Sequence, residues 1–275
     1  MWRGNQKGAG IGKLCEAYGY SRQGYYKRIV IEGKRRVEEA AVMDEVRRIR
    51  KRQPRVGGRK LHKMLGAGEC TIGRDRLLRI LRERDLLVKR KKKYIRTTQS
   101  AHWMKVYKNL IKEEEAQRPE QVFVADITYL ETMEGYCYLS LITDWYSRKI
   151  MGYAVSRSLS IEGSVRALKM ALRMTKNPKL LIHHSDRGIQ YCSKGYTEIL
   201  KKQGVRISMT EENHVYENAV AERVNGILKD ELQLGEKLVS FRVAERMVKE
   251  AIQIYNEERL HMSLKYMTPA QKHAA

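Results

Sequence analysis

The chain lacks the marks of a membrane, secreted or disulfide-bonded protein. No run of about 18 uncharged apolar residues occurs in its 275 residues, so no membrane-spanning helix is expected. The opening stretch MWRGNQKGAGIGK has no apolar core, so no secretory signal is expected. The four cysteines, Cys15, Cys70, Cys137 and Cys192, stand far apart with no Cys-x-x-Cys pair. That spacing speaks against a disulfide scaffold and a cysteine-rich zinc module, and it fits a reducing compartment. Acidic residues are scarce: 32 Asp and Glu face 55 Lys and Arg, for a net charge of +23. Such self-repelling charge points to a polyanionic partner, above all nucleic acid, with basic solubility as the bland alternative. At 42% hydrophobic the chain is no disordered tail, and its length allows one large domain or two to three small ones.

The charge is unevenly placed. Residues 1–120 hold 33 basic and 14 acidic residues, whereas 121–275 hold 22 and 18. The basic part reads as helices. Ile11–Ala17 is followed by Gly19, and Ser21 is a candidate N-cap for a helix over Arg22–Ile29. Helix, glycine turn and capped basic helix outline a helix-turn-helix, which would turn Arg22, Gln23, Lys27 and Arg28 toward DNA. A basic hairpin packed on another element is the alternative. Val42, Val46 and Ile49 space a second helix from about Glu38 to Arg52, stopped by Pro54. Arg59–Leu65 and a helix over Gly73–Asp85, with Thr71 as its candidate cap, follow. The run Lys89, Arg90, Lys91, Lys92 and Lys93 reads as a phosphate-tracking arm or a solvated run. A helical stretch Ala101–Gln117 then ends at Pro119.

The second part alternates strands and helices. Strands are expected from Val122 through Tyr129, over Tyr136–Ile142, Lys149–Val155, Leu180–Ile182 and Val205–Met209. The first three read as an antiparallel meander. Helices are expected near Ile161–Leu172, Tyr196–Lys202, Ala219–Leu232 and Phe241–Asn256. The expected architecture is therefore an all-α arm followed by a mixed five-stranded sheet with helices on both faces. The expected division is a helix-turn-helix-like segment over 1–36, a second helical DNA-binding domain with a basic tail over 37–100, a helical linker over 101–118 and a catalytic domain over 119–275.

Three carboxylates interrupt this pattern. Asp126 lies inside the first strand, Asp186 just beyond the fourth, and Glu222 on the late helix, away from the Val220 stripe. Lys229 is seven residues on and shares the Glu222 face. A lone buried carboxylate is readily explained by an ion pair with an arginine. Three at strand, strand-end and helix positions of one domain suggest convergence, where mutual repulsion calls for divalent cations. Oxygen ligands suit Mg²⁺, and two such ions can clamp an in-line phosphoryl displacement. Asp144 is a competing acid, with 41 residues between it and Asp186, and a turn role alongside Ser147 and Arg148 is the simpler reading. His183 and His184 are adjacent on an extended segment, point opposite ways and make a poor chelate.

At these residues the sequence resembles a known family. Sixty positions separate Asp126 from Asp186, and 35 residues lie between Asp186 and Glu222. The local words are Ala125-Asp126-Ile127-Thr128-Tyr129, His184-Ser185-Asp186-Arg187-Gly188 and Glu217-Asn218-Ala219-Val220-Ala221-Glu222, with Lys229 as the basic residue that follows. Tyr255-Asn256, Arg259, His261 and Thr268-Pro269 in the tail, and Leu14-Cys15 with Tyr20–Tyr26 near the beginning, match as well. Together they resemble the second-reading-frame transposases of the insertion sequence 3 family. Those belong to the DDE transposase and retroviral integrase superfamily.

The resemblance implies an RNase H-like catalytic core. Asp126, Asp186 and Glu222 would bind two Mg²⁺ (or Mn²⁺), free a 3′-hydroxyl at the transposon end and join it to a second phosphodiester. Lys229 would hold a phosphate of that end, and His184, Asn218 and Asn225 would neighbour the site. It implies double-stranded DNA as partner, both terminal inverted repeats and target, a homo-oligomer in the synaptic complex, and a bacterial cytoplasmic, nucleoid-associated protein with no membrane partner. The zinc module of retroviral relatives has no counterpart of the right spacing here, and no structural zinc is expected. Family members commonly act as a frameshifted fusion, so an upstream-frame partner is also implied. A DNA-binding regulator, or a catalytically incomplete partner of such a fusion, is the alternative reading. A nuclease on the same core is another.

Overall fold

The computed structural model describes residues 10–68, 71–89, 104–111, 115–211 and 219–275. It divides into two compact units, Met1–Ile49 with Leu61–Leu87, and Arg50–Lys60 with Val88–Ala275.

The first unit is helical. Helix α1 (Ile11–Ala17) ends in a turn where Gly19 takes φ +69°, a left-handed conformation that glycine adopts without a Cβ penalty. Helix α2 (Arg22–Arg52) then begins as expected, with Ser21 Oγ accepting a hydrogen bond from Gly24 N at 3.0 Å. It does not stop at Ile29. It is one helix of 31 residues, and the expected boundary between 36 and 37 falls inside it. The apolar gap between the two expected helices contains no proline, and its single Gly33 costs only about 1 kcal/mol, too little to break a long helix. Helices α3 (Gly58–Leu65) and α4 (Arg74–Glu83) follow; the N-cap position of α4 is Gly73, not Thr71. The buried residues of this unit include Val42, Met43 and Val46 of α2, Leu61 and Leu65 of α3, and Leu77, Ile80 and Leu81 of α4. Arg76 reaches back to Glu38 at 3.1 Å.

In the second unit, strands β1 (Val122–Thr132), β2 (Gly135–Asp144) and β3 (Ile150–Ser156) form the expected antiparallel meander. Helix α5 (Ile161–Met174) leads to β4 (Ile182–Ser185), then to the short α6 (Ile189–Cys192), α7 (Lys194–Lys202) and β5 (Arg206–Met209). Helices α8 (Ala219–Asp230), α9 (Phe241–Glu257) and α10 (Pro269–Ala274) complete the chain. The sheet order is β3-β2-β1-β4-β5, with β4 parallel to both β1 and β5. Strand β4 starts later than expected, because Pro178 opens a 3-10 turn over Pro178–Leu180 and pairing with β1 begins only at Val122↔Ile182.

Alternation along the strands divides the core between the two faces. Leu139 and Leu141 of β2 pack with Val224 and Ile227 of α8 and Val248 and Ile252 of α9. Ile142 packs with Phe123 of β1, Ala167 and Leu168 of α5, and Tyr196 and Leu200 of α7. The sheet is thus covered on both faces, as its sequence predicts.

The expected helix Ala101–Gln117 is not found: residues 104–111 and 115–117 are non-helical. Met104, Tyr107 and Ile111 instead pack onto the cores of the sheet unit. Leu110 N donates to Ser208 Oγ, and Ile111 N donates to Asn109 Oδ1. Tertiary burial overrides a modest helical propensity here. Among the described residues no helix is long and apolar enough to cross a membrane.

Candidate active site

Strand register brings the first two acids together. Strands β1 and β4 run parallel with Val124 opposite His184 and Ala125 opposite Ser185. One step further along each chain stand Asp126 and Asp186. Adjacent strands lie about 4.8 Å apart, so the pair sits side by side where β4 stops and β1 continues. Alternation puts Asp126 on the face covered by α8, the face of Leu139 and Leu141, since Asp126 is paired with Leu141.

Helix α8 supplies the rest. Glu222 is in its first turn and is exposed. Asn225, three residues on and therefore on the same side, is buried and donates from Nδ2 to Asp126 Oδ2 at 2.7 Å. Asp126 Oδ1 accepts from Ile127 N at 2.9 Å. Asp186 Oδ1 accepts from Gly188 N at 2.9 Å. A Cβ at position 188 would itself come within 2.9 Å of that oxygen, so glycine is what the carboxylate allows there.

The acids feel one another. Burial, then the negative charge of Asp186, then that of Glu222 push the Asp126 carboxyl up to about 7, against the hydrogen bonds from Ile127 and Asn225. Among the described residues, no three His, Cys, Asp or Glu side chains are gathered tightly enough to hold a metal ion together. The triad is therefore within electrostatic reach but does not form a closed coordination shell. The donor set nonetheless fits a hard divalent cation: carboxylate oxygens alone, whose negative charges repel one another.

Lys229, two turns after Glu222, sets its Nζ 4.3 Å from the centroid of the Tyr129 ring. Burial lowers its pKa, while Asp126 and then Asp230 pull the other way. The charge of Asp126 therefore reaches Lys229. Tyr191 of α6 is a residue that sequence reasoning did not single out. It is buried, its hydroxyl has no hydrogen-bond partner among the described residues, and Tyr196, Asp126 and Asp186 add to burial in raising its pKa.

The competing acid and the two adjacent histidines have other duties. Asp144 is buried and accepts from Glu120 N, Ser147 N and Ser147 Oγ at 2.6–2.7 Å, a turn role away from the triad. His183 Nε2 lies 2.9 Å from the Tyr196 hydroxyl and His184 Nδ1 lies 2.9 Å from Ser208 Oγ. Burial pushes their pKa values down to about 3 and about 4, so both are neutral at pH 7. Arg22, Gln23, Lys27 and Arg28 are exposed on the first turns of α2, and Arg28 pairs with Glu32 at 3.0 Å. Asn218 and the run Lys91, Lys92 and Lys93 lie outside the described residues.

The tail motif is architectural. Asn256 accepts from Ile150 N at 2.9 Å and donates to Ile150 O at 3.0 Å, so it caps β3 as a neighbouring strand would. Tyr255 Oη donates to Arg148 O at 2.9 Å. Arg259 grips Glu231, the residue after α8, through Nε and Nη2 at 2.9 and 2.8 Å. Thr268 opens α10 with a capping box closed by Gln271.

Comparison with known proteins bears on the fold and the family. Two family models described as integrase core domain match residues 116–214 and 203–269. An uncharacterised 31 kDa protein of insertion element IS600 from Shigella sonnei is 38% identical over 262 residues, covering 94% of this chain and 96% of that protein. The transposase InsF of insertion sequence IS3A from Escherichia coli K12 is 35% identical over 193 residues, covering 70% of this chain and 67% of the relative. Among solved structures, a chain of the simian T-cell lymphotropic virus intasome, in complex with a PP2A regulatory subunit, superposes with a TM-score of 0.51 at 16% identity, covering 80% of this chain and 75% of that one. That last likeness speaks to fold alone: a retroviral integrase architecture in a chain of quite different sequence. Matched over nearly its whole length by one insertion-element protein and over most of it by a transposase, the chain belongs to the insertion sequence 3 family of transposases.

Proposed function

We propose that this DNA transposase cuts and joins DNA strands at Asp126, Asp186 and Glu222. The observation that carries this reading is the register of β1 and β4, which sets Asp126 beside Asp186 under the helix that bears Glu222. These three carboxylates would hold Mg²⁺ (or Mn²⁺), two ions in all. Bound there, such ions supply Lewis-acid stabilisation of a phosphoryl transfer and neutralise the clustered charge. The chain's own contributions can be named atom by atom. Asn225 Nδ2 fixes one oxygen of Asp126, and the Ile127 amide fixes the other. The Gly188 amide fixes Asp186 Oδ1. Lys229 brings a point charge that would bind a phosphate of the transposon end.

The basic helical unit would hold duplex DNA, with Arg22, Gln23, Lys27, Arg28 and the 91–93 lysines as contacts to terminal repeats and target. A homo-oligomer would hold two ends at once. A strand-transfer assay tests the reading, using DNA copied from the sequence flanking the gene. Wild type should yield joined products in Mg²⁺, alone or with its upstream-frame partner. Asp126→Asn, Asp186→Asn and Glu222→Gln should each abolish cleavage and joining while DNA binding stays within a few-fold. Joining that survives one of these changes removes that residue from the set.

A further inference from the structure

Beside the three acids is a surface to which the phosphoryl-transfer reading gives no task. Past Asp126, strand β1 runs on to Thr132 and forms a hairpin with β2. Register places Tyr129 opposite Tyr138 and Glu131 opposite Tyr136, so Tyr129 and Tyr136 are diagonal neighbours on one face. Their rings meet edge to face, with centroids 5.5 Å apart and planes at 86°. Both are open to solvent, 39% for Tyr129 and 59% for Tyr136, and Met133 at the hairpin tip is 70% exposed. Lys229 Nζ stands 4.3 Å from the Tyr129 centroid, so a half-buried cation borders the aromatic pair. The nearby acids are already answered: Glu131 by Lys237 at 3.2 Å, and Glu134 by Arg157 at 3.1 Å.

Two exposed aromatic rings next to a cation, with the hairpin's own acids Glu131 and Glu134 paired, suit an unpaired nucleotide better than water. Aromatic faces stack any base, and a lysine holds the adjoining phosphate. An edge-to-face tyrosine pair also steadies a hairpin, but that alone requires neither exposure nor a cation on the ring. Lys229 ties this surface to the acids. Alternation puts Tyr129 on the face of β1 opposite Asp126, along the stretch of β1 that β4 no longer pairs. Lys229 nonetheless reaches both, for its Nζ stands over the Tyr129 ring and it feels the charge of Asp126.

We propose that Tyr129 and Tyr136 form a stacking subsite for an unpaired base at the transposon end, with Lys229 on its phosphate. The inference rests on the phosphoryl-transfer reading of Asp126, Asp186 and Glu222, and its test needs no catalysis. The full chain would be mixed, in EDTA, with a duplex copied from the DNA flanking the gene. 2-Aminopurine would be placed at successive terminal positions, paired or frayed. Expected is fluorescence quenching at one terminal position, with the frayed end bound about 5- to 150-fold tighter than the paired end, the worth of one stacked base. Tyr136→Ala and Tyr129→Ala should each abolish the quench and the frayed-end preference. Tyr136→Phe and Tyr129→Phe should keep both, which separates stacking from loss of fold. Lys229→Gln should weaken paired and frayed ends alike and leave the quench. If wild type binds the duplex but the alanine variants quench and discriminate as it does, the subsite is overturned. If wild type binds no end duplex at all, the end-binding reading itself falls, and the subsite falls with it.

Discussion

Asp126 illustrates what a single residue contributes and costs. A half-buried carboxylate beside Asp186 is held near pH 7 as a proton acceptor rather than as a settled anion. Its two hydrogen bonds orient it without neutralising it. Asp186 depends on a smaller detail, the missing side chain at Gly188. We expect Gly188→Ala to leave the melting temperature almost unchanged, because Gly188 has an ordinary φ of −60° and a Cβ there would press closely only on the Asp186 carboxylate. It should nonetheless lower strand transfer by about 100-fold, since a displacement near 1 Å in a reacting group costs that much. Circular dichroism melting beside the joining assay checks both halves, and an unchanged joining rate would show that Asp186 tolerates the push. Sequence alone exposed the three acids, because charge inside strand and helix patterns is anomalous. It named Asn225 only as a neighbour, since a helical asparagine has many local uses. Sequence gives Tyr129, Tyr136 and Tyr191 no role of their own, because tyrosine in or near a strand is ordinary.

At the scale of elements, α8 is the carrier of the site, and its far end is pinned. Glu231 takes Arg259 on one side and Lys60 Nζ at 2.8 Å on the other. The two basic partners pull the Glu231 carboxyl down to about 2 against the cost of burial. Burial also lowers the Lys60 pKa, so that lysine returns part of the gain. The folded Glu231 pKa lies below the unfolded value of about 4.3. Its contribution is therefore fully present above pH 4.3 and lost as pH falls toward 2. Glu231→Gln should cost about 3 kcal/mol at pH 7 by leaving Arg259 and Lys60 without a counter-charge. The gap to wild type should close on acidification, as urea unfolding across pH would record. A constant gap would mean that packing, not charge, is what Glu231 supplies. The tail motif Tyr255, Asn256 and Arg259 was legible as a family word but not as a clamp on β3 and α8. Its partners Arg148, Ile150 and Glu231 lie up to 107 residues away in sequence.

For the whole molecule, the strand meander, the crossover helices and the mixed five-stranded sheet were legible because periodicity and turn residues agree with the global fold. The helices of the basic part were less so. Exposed α2 has no buried face over residues 22–31 to set a period, so its continuity could not be read from apolar spacing. The charge remains the dominant global quantity, with 33 of the 55 basic residues in 1–120. Binding to duplex DNA should weaken steeply with salt, by about 10³-fold or more between 50 and 200 mM if six or more phosphates are neutralised. Deleting residues 1–100 should flatten that slope. A slope that persists in the deleted chain would move the phosphate contacts to the catalytic unit.

The parallel pairing of β1 with β4 also bears on how such a chain tolerates insertion and deletion. The partnership of Asp126 and Asp186 is fixed by four residue pairs, Val122↔Ile182 to Ala125↔Ser185. The intervening hairpin, third strand and α5 form a closed excursion that leaves β1 and returns beside it. Residues added at the Met133–Glu134 turn or after Met174 lengthen that excursion without touching the pairing. One residue added between Val122 and Asp126 would turn the aspartate to the opposite face of the sheet. The sixty positions between the two aspartates are thus an elastic distance, whereas the four-residue register beside them is rigid.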